Sequence, residues 1–325
     1  MESTRIDPPL AGDARCSIAD RRGEGKADTL SRMKLVTVFD SPGEKVRLDK
    51  ISTRPPPTME KAEARARFEE LDEELFGLQD LMWGAKTHSL LVVLQGRDAA
   101  GKDGTIKHVV GGLNPRGIHV ASFRPPSEEE LRHDFLWRVH RRTPELGEVA
   151  IFNRSHYEDV LVVRVNGLIE KSLWKLRYGH INDFEALLSD HGSIVLKFFL
   201  HISPEEQEQR LLAREKDPLD SWKLSVQDWK DREKWDEFTE AYEDAISRCA
   251  APHAPWMVVP SDAKWFRNLA VAETLVAALR PYRREWQKTL EERGKVARAA
   301  LEAFRKEQRQ KERGTNKRRA VAKGA

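Results

Sequence analysis

Seven consecutive residues, Gly96-Arg97-Asp98-Ala99-Ala100-Gly101-Lys102, set two glycines and a lysine at G-x-x-x-x-G-K spacing. That spacing suits phosphate. The glycines let the chain turn so that successive backbone N–H groups converge on an anion, and the lysine adds a mobile positive charge. The residue after the lysine, commonly a hydroxyl side chain that meets Mg²⁺, is Asp103, followed by Gly104. Asp98 stands inside the loop. Carboxylates beside phosphates repel unless a divalent cation lies between them, so the loop implies a metal, with Asp98 as its expected ligand.

Further cations fall where strands are expected to end: Arg124 and Arg154, with Arg138, Arg141 and Arg142 on the segment between them. Arg210 and Arg214 lie four apart and share one face of a predicted helix. Phosphoryl transfer uses this mixture of positive charge, metal-binding carboxylates and fixed position. Asp98, Arg124, Asn153, Arg154 and Asp262 should meet in one crevice. The expected phosphate- or nucleotide-binding residues are Gly96, Arg97, Ala99, Ala100, Gly101, Asp103, Gly104, Arg124 and Asn153. The expected catalytic residues are Asp98, Lys102, Arg154, Arg210 and Arg214. His156 is expected to pack rather than to act with Glu158 as an acid–base pair. Trp222, Trp229 and Trp235 are expected in the core.

The elements that must hold these residues are legible from periodicity. Ser89–Leu94 is a short apolar run ahead of the glycine loop, and Ile106, Val109, Val110 and Leu113 recur at helical spacing behind it. Further strands are predicted at 117–123, 149–152, 193–200 and 255–260. Helices are predicted from Thr58 to Met82, after the capping box Ser127-x-x-Glu130, over 181–190, from Glu205 past Arg248, and over 268–279. The helix after the capping box should bury Leu131, Phe135, Leu136 and Val139. This alternation predicts a three-layered α/β fold with a parallel sheet of about five strands; the glycine loop makes the expected type that of a P-loop kinase, with a helical lid. Ligands then bind at the carboxyl ends of the strands. Residues 1–34 are expected to be a disordered extension, 35–284 the phosphotransferase domain with its lid over about 205–248, and 285–325 a basic helix and disordered tail.

The 325 residues carry a formal net charge of +3, unevenly spread. From Arg283 to Ala325 there are 15 Lys/Arg against 6 Asp/Glu, so the tail is basic and the remainder acidic. No apolar run is long enough to span a bilayer, and two cysteines, Cys16 and Cys249, make no disulfide framework. A cytoplasmic protein without membrane contact is expected.

Two segments together resemble the polyphosphate kinase 2 family: Gly96 to Gly104, and Ile151-Phe152-Asn153-Arg154-Ser155-His156-Tyr157-Glu158-Asp159-Val160-Leu161. Leu113–Gly117, His133–Arg138, Trp222-Lys223 and Lys264-Trp265 match as well, and the resemblance covers about Lys50 to Arg284. It implies transfer of the terminal phosphoryl group of inorganic polyphosphate to a nucleoside mono- or diphosphate, reversibly, with Mg²⁺ or Mn²⁺. Asp98 and Lys102 match the family's catalytic loop positions and Arg154 its second-signature arginine. Asn153 stands where many ADP-using members carry aspartate, which resembles the branch that accepts AMP and often ADP. A homo-oligomer, dimer or tetramer, is expected, and nucleic acid is not an expected partner. An ATP-dependent kinase of a small metabolite, or a non-catalytic polyanion- or nucleic-acid-binding protein, remains the alternative.

Overall fold

A computed structural model describes residues 35–219 and 221–323, with side chains to 313. The expectation of disorder over 1–34 lies outside the described residues. Six strands form one sheet: β1 (Thr37–Phe39), β2 (Ser89–Gln95), β3 (Ile118–Ser122), β4 (Val149–Asn153), β5 (Ser193–His201) and β6 (Trp256–Pro260). Their order is β1-β6-β5-β2-β4-β3. All pairs are parallel except β1 with β6. The strand not anticipated is β1, whose three residues are too few to display a period.

The central strand β2 is buried along its whole length and alternates between two cores. Leu90, Val92 and Leu94 face one layer, and Leu91 and Val93 the other. The first layer is α1 (Lys61–Ala85), the loop helix α2 (Lys102–Thr105) with its π-type continuation Ile106–Val110, α9 (Lys264–Leu279) and the start of α10 (Arg283–Lys323). The opposite layer is α5 (Lys171–Asp190) and α8 (Trp235–Cys249), with the short α4 (Val162–Val165). Along α1, Leu71, Leu75, Leu78 and Met82 recur every three or four residues and are buried. It begins three residues after Thr58, without a side-chain cap.

Two helical expectations change in detail. The Ser127/Glu130 capping box forms, with Glu130 N–H donating to Ser127 Oγ at 3.2 Å and Ser127 N–H to Glu130 Oε2 at 2.8 Å. It opens a single 3₁₀ turn, Glu130–Arg132, and Leu131 is exposed. The helix itself, α3 (Trp137–His140), is one turn long and buries Arg138 and Val139. The charged stretch after Glu205 is three helices. α6 (Pro204–Lys216) starts at a Ser203 cap with Pro204 at its first turn, and α7 (Val226–Glu233) follows over the crevice. The third, α8, returns to the body and buries Phe238, Tyr242 and Ile246.

Candidate active site

At the carboxyl ends of β2, β3 and β4 the chain opens into a crevice of about 930 Å³, lined by Asp98, Lys102, Asp103, Phe123, Arg124, Asn153, Arg154 and Arg214 among others. Gly101 ends the loop at φ +108°, and a Cβ there would sit 1.7 Å from an Arg267 guanidinium nitrogen. Glycine is required on both counts. Gly96, at φ +155°, passes so close to the Leu200 carbonyl that a Cβ would meet it at 2.9 Å. Lys102 is nearly buried and its Nζ donates to the carbonyls of Gly96 (2.6 Å) and Arg97 (3.1 Å).

The crevice floor is an ion pair, Arg154 Nη2 donating to Asp98 Oδ1 at 2.7 Å. Arg154 adopts φ +61°, a left-handed conformation that costs a non-glycine residue on the order of 1 kcal/mol. Its N–H is held by the Leu94 carbonyl at 3.1 Å, so this turn delivers the guanidinium to the crevice. Burial alone would push the Asp98 carboxyl up, but the charges of Lys102 and Arg154 outweigh it and hold Asp98 below its ordinary value. Burial lowers Lys102, against the charge of Asp98. Glu158, 3.8 Å from Arg154, is pushed up by burial. Asn153 Nδ2 donates to Asp103 Oδ1 at 2.6 Å, which ties the second signature to the glycine loop.

The arginines divide by direction. Arg214 reaches the crevice and pairs with Asp228 at 3.2 Å. Arg210 borders it but is engaged elsewhere. Its Nε donates to Glu206, and its two amino groups donate to the carbonyls of Ala99, Ala100, Ser261 and Asp262 at 2.7–3.2 Å. One amino group meets the loop and the other the chain after β6, so the guanidinium ties the cradle to the end of β6. Arg97 turns behind the loop, stacks 3.6 Å over Trp235 and donates to the Trp235 carbonyl and Thr239. Burial brings its pKa down to about 10. It is not part of the crevice lining, which corrects its expected phosphate contact.

Arg138 is buried, bonds the Arg124 carbonyl at 2.7 Å and pairs with Asp159, so it supports the loop bearing Arg124. Arg141 and Arg142 lie in a neighbouring hollow along β3. Asp262 leaves the crevice as well, accepting from Thr53 Oγ1 and the Ser203 N–H. His156 is fully buried, with Nε2 3.2 Å from Glu185, and packs as expected. Beneath it, Lys197 Nζ donates to Glu185, to Tyr157 and to the Cys249 carbonyl, a closed polar cluster under the second signature.

The tryptophans are a correction. Trp222 is 78% exposed at the crevice mouth, and Trp229 and Trp235 are half-buried. Sequence reasoning also passed over Asp228, Arg267 and Asn268, all of which line the crevice. The last two sit in the first turn after β6, a position the strand-end rule reaches. Asp228 lies in a charged helix with no distinguishing local signal. Burial and the nearby Asp98 charge raise its pKa to about 6.

Among the described residues no group of three His, Cys, Asp or Glu side chains is disposed to hold a metal, and no helix is long and apolar enough to cross a membrane.

Comparison with known proteins agrees with this geometry. The chain is 51% identical over 209 residues to the AMP/ADP-polyphosphate phosphotransferase of Meiothermus ruber, covering 64% of this chain and 78% of that one. It is 40% identical over 269 residues to the ADP-polyphosphate phosphotransferase of Rhodopseudomonas palustris, covering 78% and 92%. The crystal structure of polyphosphate kinase 2 from Arthrobacter aurescens superposes with a TM-score of 0.71 at 37% identity, over 74% of this chain and 90% of that one. The polyphosphate kinase 2 family model matches residues 58–287, and with the loop, the second signature and the fold in agreement, the chain belongs to that family.

Proposed function

We propose that the protein transfers the terminal phosphoryl group of inorganic polyphosphate to AMP or ADP, reversibly, and that it works as a homo-oligomer, dimer or tetramer. The observation that carries the reading is the Asp98–Arg154 pair on the floor of an arginine-lined crevice, directly beside the glycine loop. The M. ruber and R. palustris relatives supply the substrate class.

The nucleophile is an oxygen of the acceptor's terminal phosphate, already anionic, so no strong general base is required. That oxygen forms a bond to the terminal phosphorus of polyphosphate, and the anhydride bond breaks with its electron pair leaving on the shortened chain. The main obstacle is repulsion between two polyanions. Lys102 swings from the Gly96 and Arg97 carbonyls to phosphate oxygens, and the loop N–H groups hold the same anion. Arg154 and Arg214 neutralise charge on the transferring group from opposite walls. Arg210 acts through the loop it braces, as a positioning residue. Arg124, with Phe123 and Asn153, borders the acceptor, and Trp222 offers an aromatic face to its base.

The donor set fits Mg²⁺. Asp98 and Asp228 are hard oxygen ligands on opposite sides of the crevice, and their mutual repulsion is what a divalent cation relieves. When bound there, Mg²⁺ would offset the charge of the phosphate groups held beside the loop.

The test is incubation with AMP or ADP, Mg²⁺ and long-chain polyphosphate, read by nucleotide chromatography. Formation of ADP or ATP is expected. Turnover only with ATP and a small metabolite, or tight polyphosphate binding with no turnover, would displace this reading.

A further inference from the structure

The first turn of α10 is anchored at the foot of the sheet, the end opposite the crevice. Trp286 is buried and donates to His88, one residue before β2. Arg280 and Arg283 meet Glu74 of α1, and Arg293 donates to the Gly84 carbonyl. Past that contact the helix leaves the body, and every residue from Lys295 to Arg313 is exposed. This stretch is about 28 Å long and lies beyond the segment matched by the family model.

Its cations are sorted onto one side. With about 3.6 residues per turn, Lys295, Arg298, Arg305, Lys306, Arg309 and Arg313 fall within an arc of about 100°. Glu302 is the one carboxylate of the stretch inside that arc. Phe304 lies on the other side, in line with the buried Trp286. Lys311 is also off the arc and pairs with Glu307. Among the described residues none of the six cations of the arc is in an ion pair, whereas Arg280 and Arg283 at the helix base share Glu74. Arg305, Arg309 and Arg313 follow one another at steps of four, where like charges repel and weaken a helix. A polyanion laid along the stripe relieves that repulsion and releases its own condensed counterions.

We infer that this face of α10 is a docking strip for long-chain polyphosphate, separate from the crevice. Polyphosphate is a linear run of negative charge without bases, and the strip is a linear run of positive charge without an aromatic ring. A nucleic acid would leave its bases unstacked there. A membrane would take the helix by the opposite face, where alanines at 297, 300 and 303 offer little to insert. Strip and crevice lie at opposite ends of the sheet, apart by about the length of β2, roughly 23 Å for its seven residues. A short phosphate chain cannot occupy both. A long one can, and its docked length raises the effective concentration of its end at the crevice. The strip therefore lowers KM for long chains and leaves the transfer step alone. Polyphosphate as occupant rests on the proposed donor, but binding is read without turnover, so the two readings fail separately.

The test compares the full-length wild type with Arg305→Gln, Arg309→Gln and Arg313→Gln combined, since glutamine keeps helix propensity. Binding of end-labelled long-chain polyphosphate is followed by fluorescence anisotropy across a salt series. The triple variant should bind about tenfold more weakly, and its slope of log K against log salt should flatten by about 2, from three contacts at about 0.7 each. In the nucleotide assay its KM for long-chain polyphosphate should rise, while kcat and the KM for AMP or ADP hold. Glu302→Lys, which completes the strip, should tighten binding. Unchanged affinity and salt slope in the triple variant overturn the inference, as does an E302K protein that binds no more tightly, or a fall in kcat at constant KM. A strip that prefers single-stranded RNA or phosphatidylserine vesicles to polyphosphate overturns it in favour of those partners. Strip-dependent binding in a wild type that shows no transfer to AMP or ADP supports the strip and removes the proposed reaction instead.

Discussion

Replacing Asp228 by asparagine should stabilise the metal-free protein at neutral pH, although it removes an ion pair with Arg214. The reason is the raised pKa. Asp228 titrates near 6 because burial and the Asp98 carboxylate oppose its charge, and Arg214 only partly compensates. An acid whose folded pKa lies above its unfolded value penalises the folded state once it is charged. The penalty is absent below about pH 4, grows through the interval, and is complete above about pH 6. Its ceiling is about 3 kcal/mol from the separation of those two values. Asp228 opens onto a wet crevice, so screening reduces this to about 1 kcal/mol. For a domain of this size that is about 2 °C in Tm. The assay is thermal unfolding of wild type and D228N in EDTA at pH 4 and pH 7.5. D228N should melt higher at pH 7.5, and the two should converge at pH 4. Adding Mg²⁺ at pH 7.5 should raise the wild type more than the variant. A D228N protein that melts at or below wild type at pH 7.5, or a difference that ignores pH, would refute the repulsion argument.

Other substitutions separate chemistry from support. Asp98→Asn, Lys102→Ala and Arg154→Ala should each reduce turnover by about 10²-fold or more while circular dichroism stays native, since each removes charge at the transferring group. Near-wild-type turnover in any of them removes that residue from the mechanism. Arg210→Lys should lower kcat and also Tm, because one ammonium cannot reproduce donation to two loop carbonyls and two carbonyls after β6. Lost activity at unchanged Tm would place Arg210 on phosphate instead. Lys197→Met should cost about 3 kcal/mol or more in urea unfolding, because Glu185 keeps its contacts with Tyr157 and His156 but loses its lysine counter-charge in the core. A small change there would show that Glu185 is protonated or hydrated once Lys197 is gone.

The phosphate loop, the strand before it and the helix after it were legible because their signals are local. Glycines at fixed spacing, a β-rich run and a 3.6-residue period are properties of the chain itself. The parallel sheet followed from alternation of such signals, and the site's address followed from where strands end. Three features were not legible. The short β1 exists through its pairing with β6 and has no period of its own. The tryptophans of the lid were assigned to the core because helical spacing says that residues share a face, not what that face meets. Asp228 reaches Asp98 only because α7 folds over the crevice more than a hundred residues along the chain.

By itself the sequence determined that this chain holds phosphate and on which loop, since backbone turn geometry and the order of strands and helices are written residue by residue. Only the tertiary structure decided which cations face the phosphate. Arg97, Arg154 and Arg210 are the same residue type near the same loop. One stacks behind it on Trp235, one pairs with Asp98 on the crevice floor, and one braces the loop from beneath. A guanidinium's direction depends on the left-handed turn at Arg154, the placement of α6 and the packing of α8, and no local spacing encodes these.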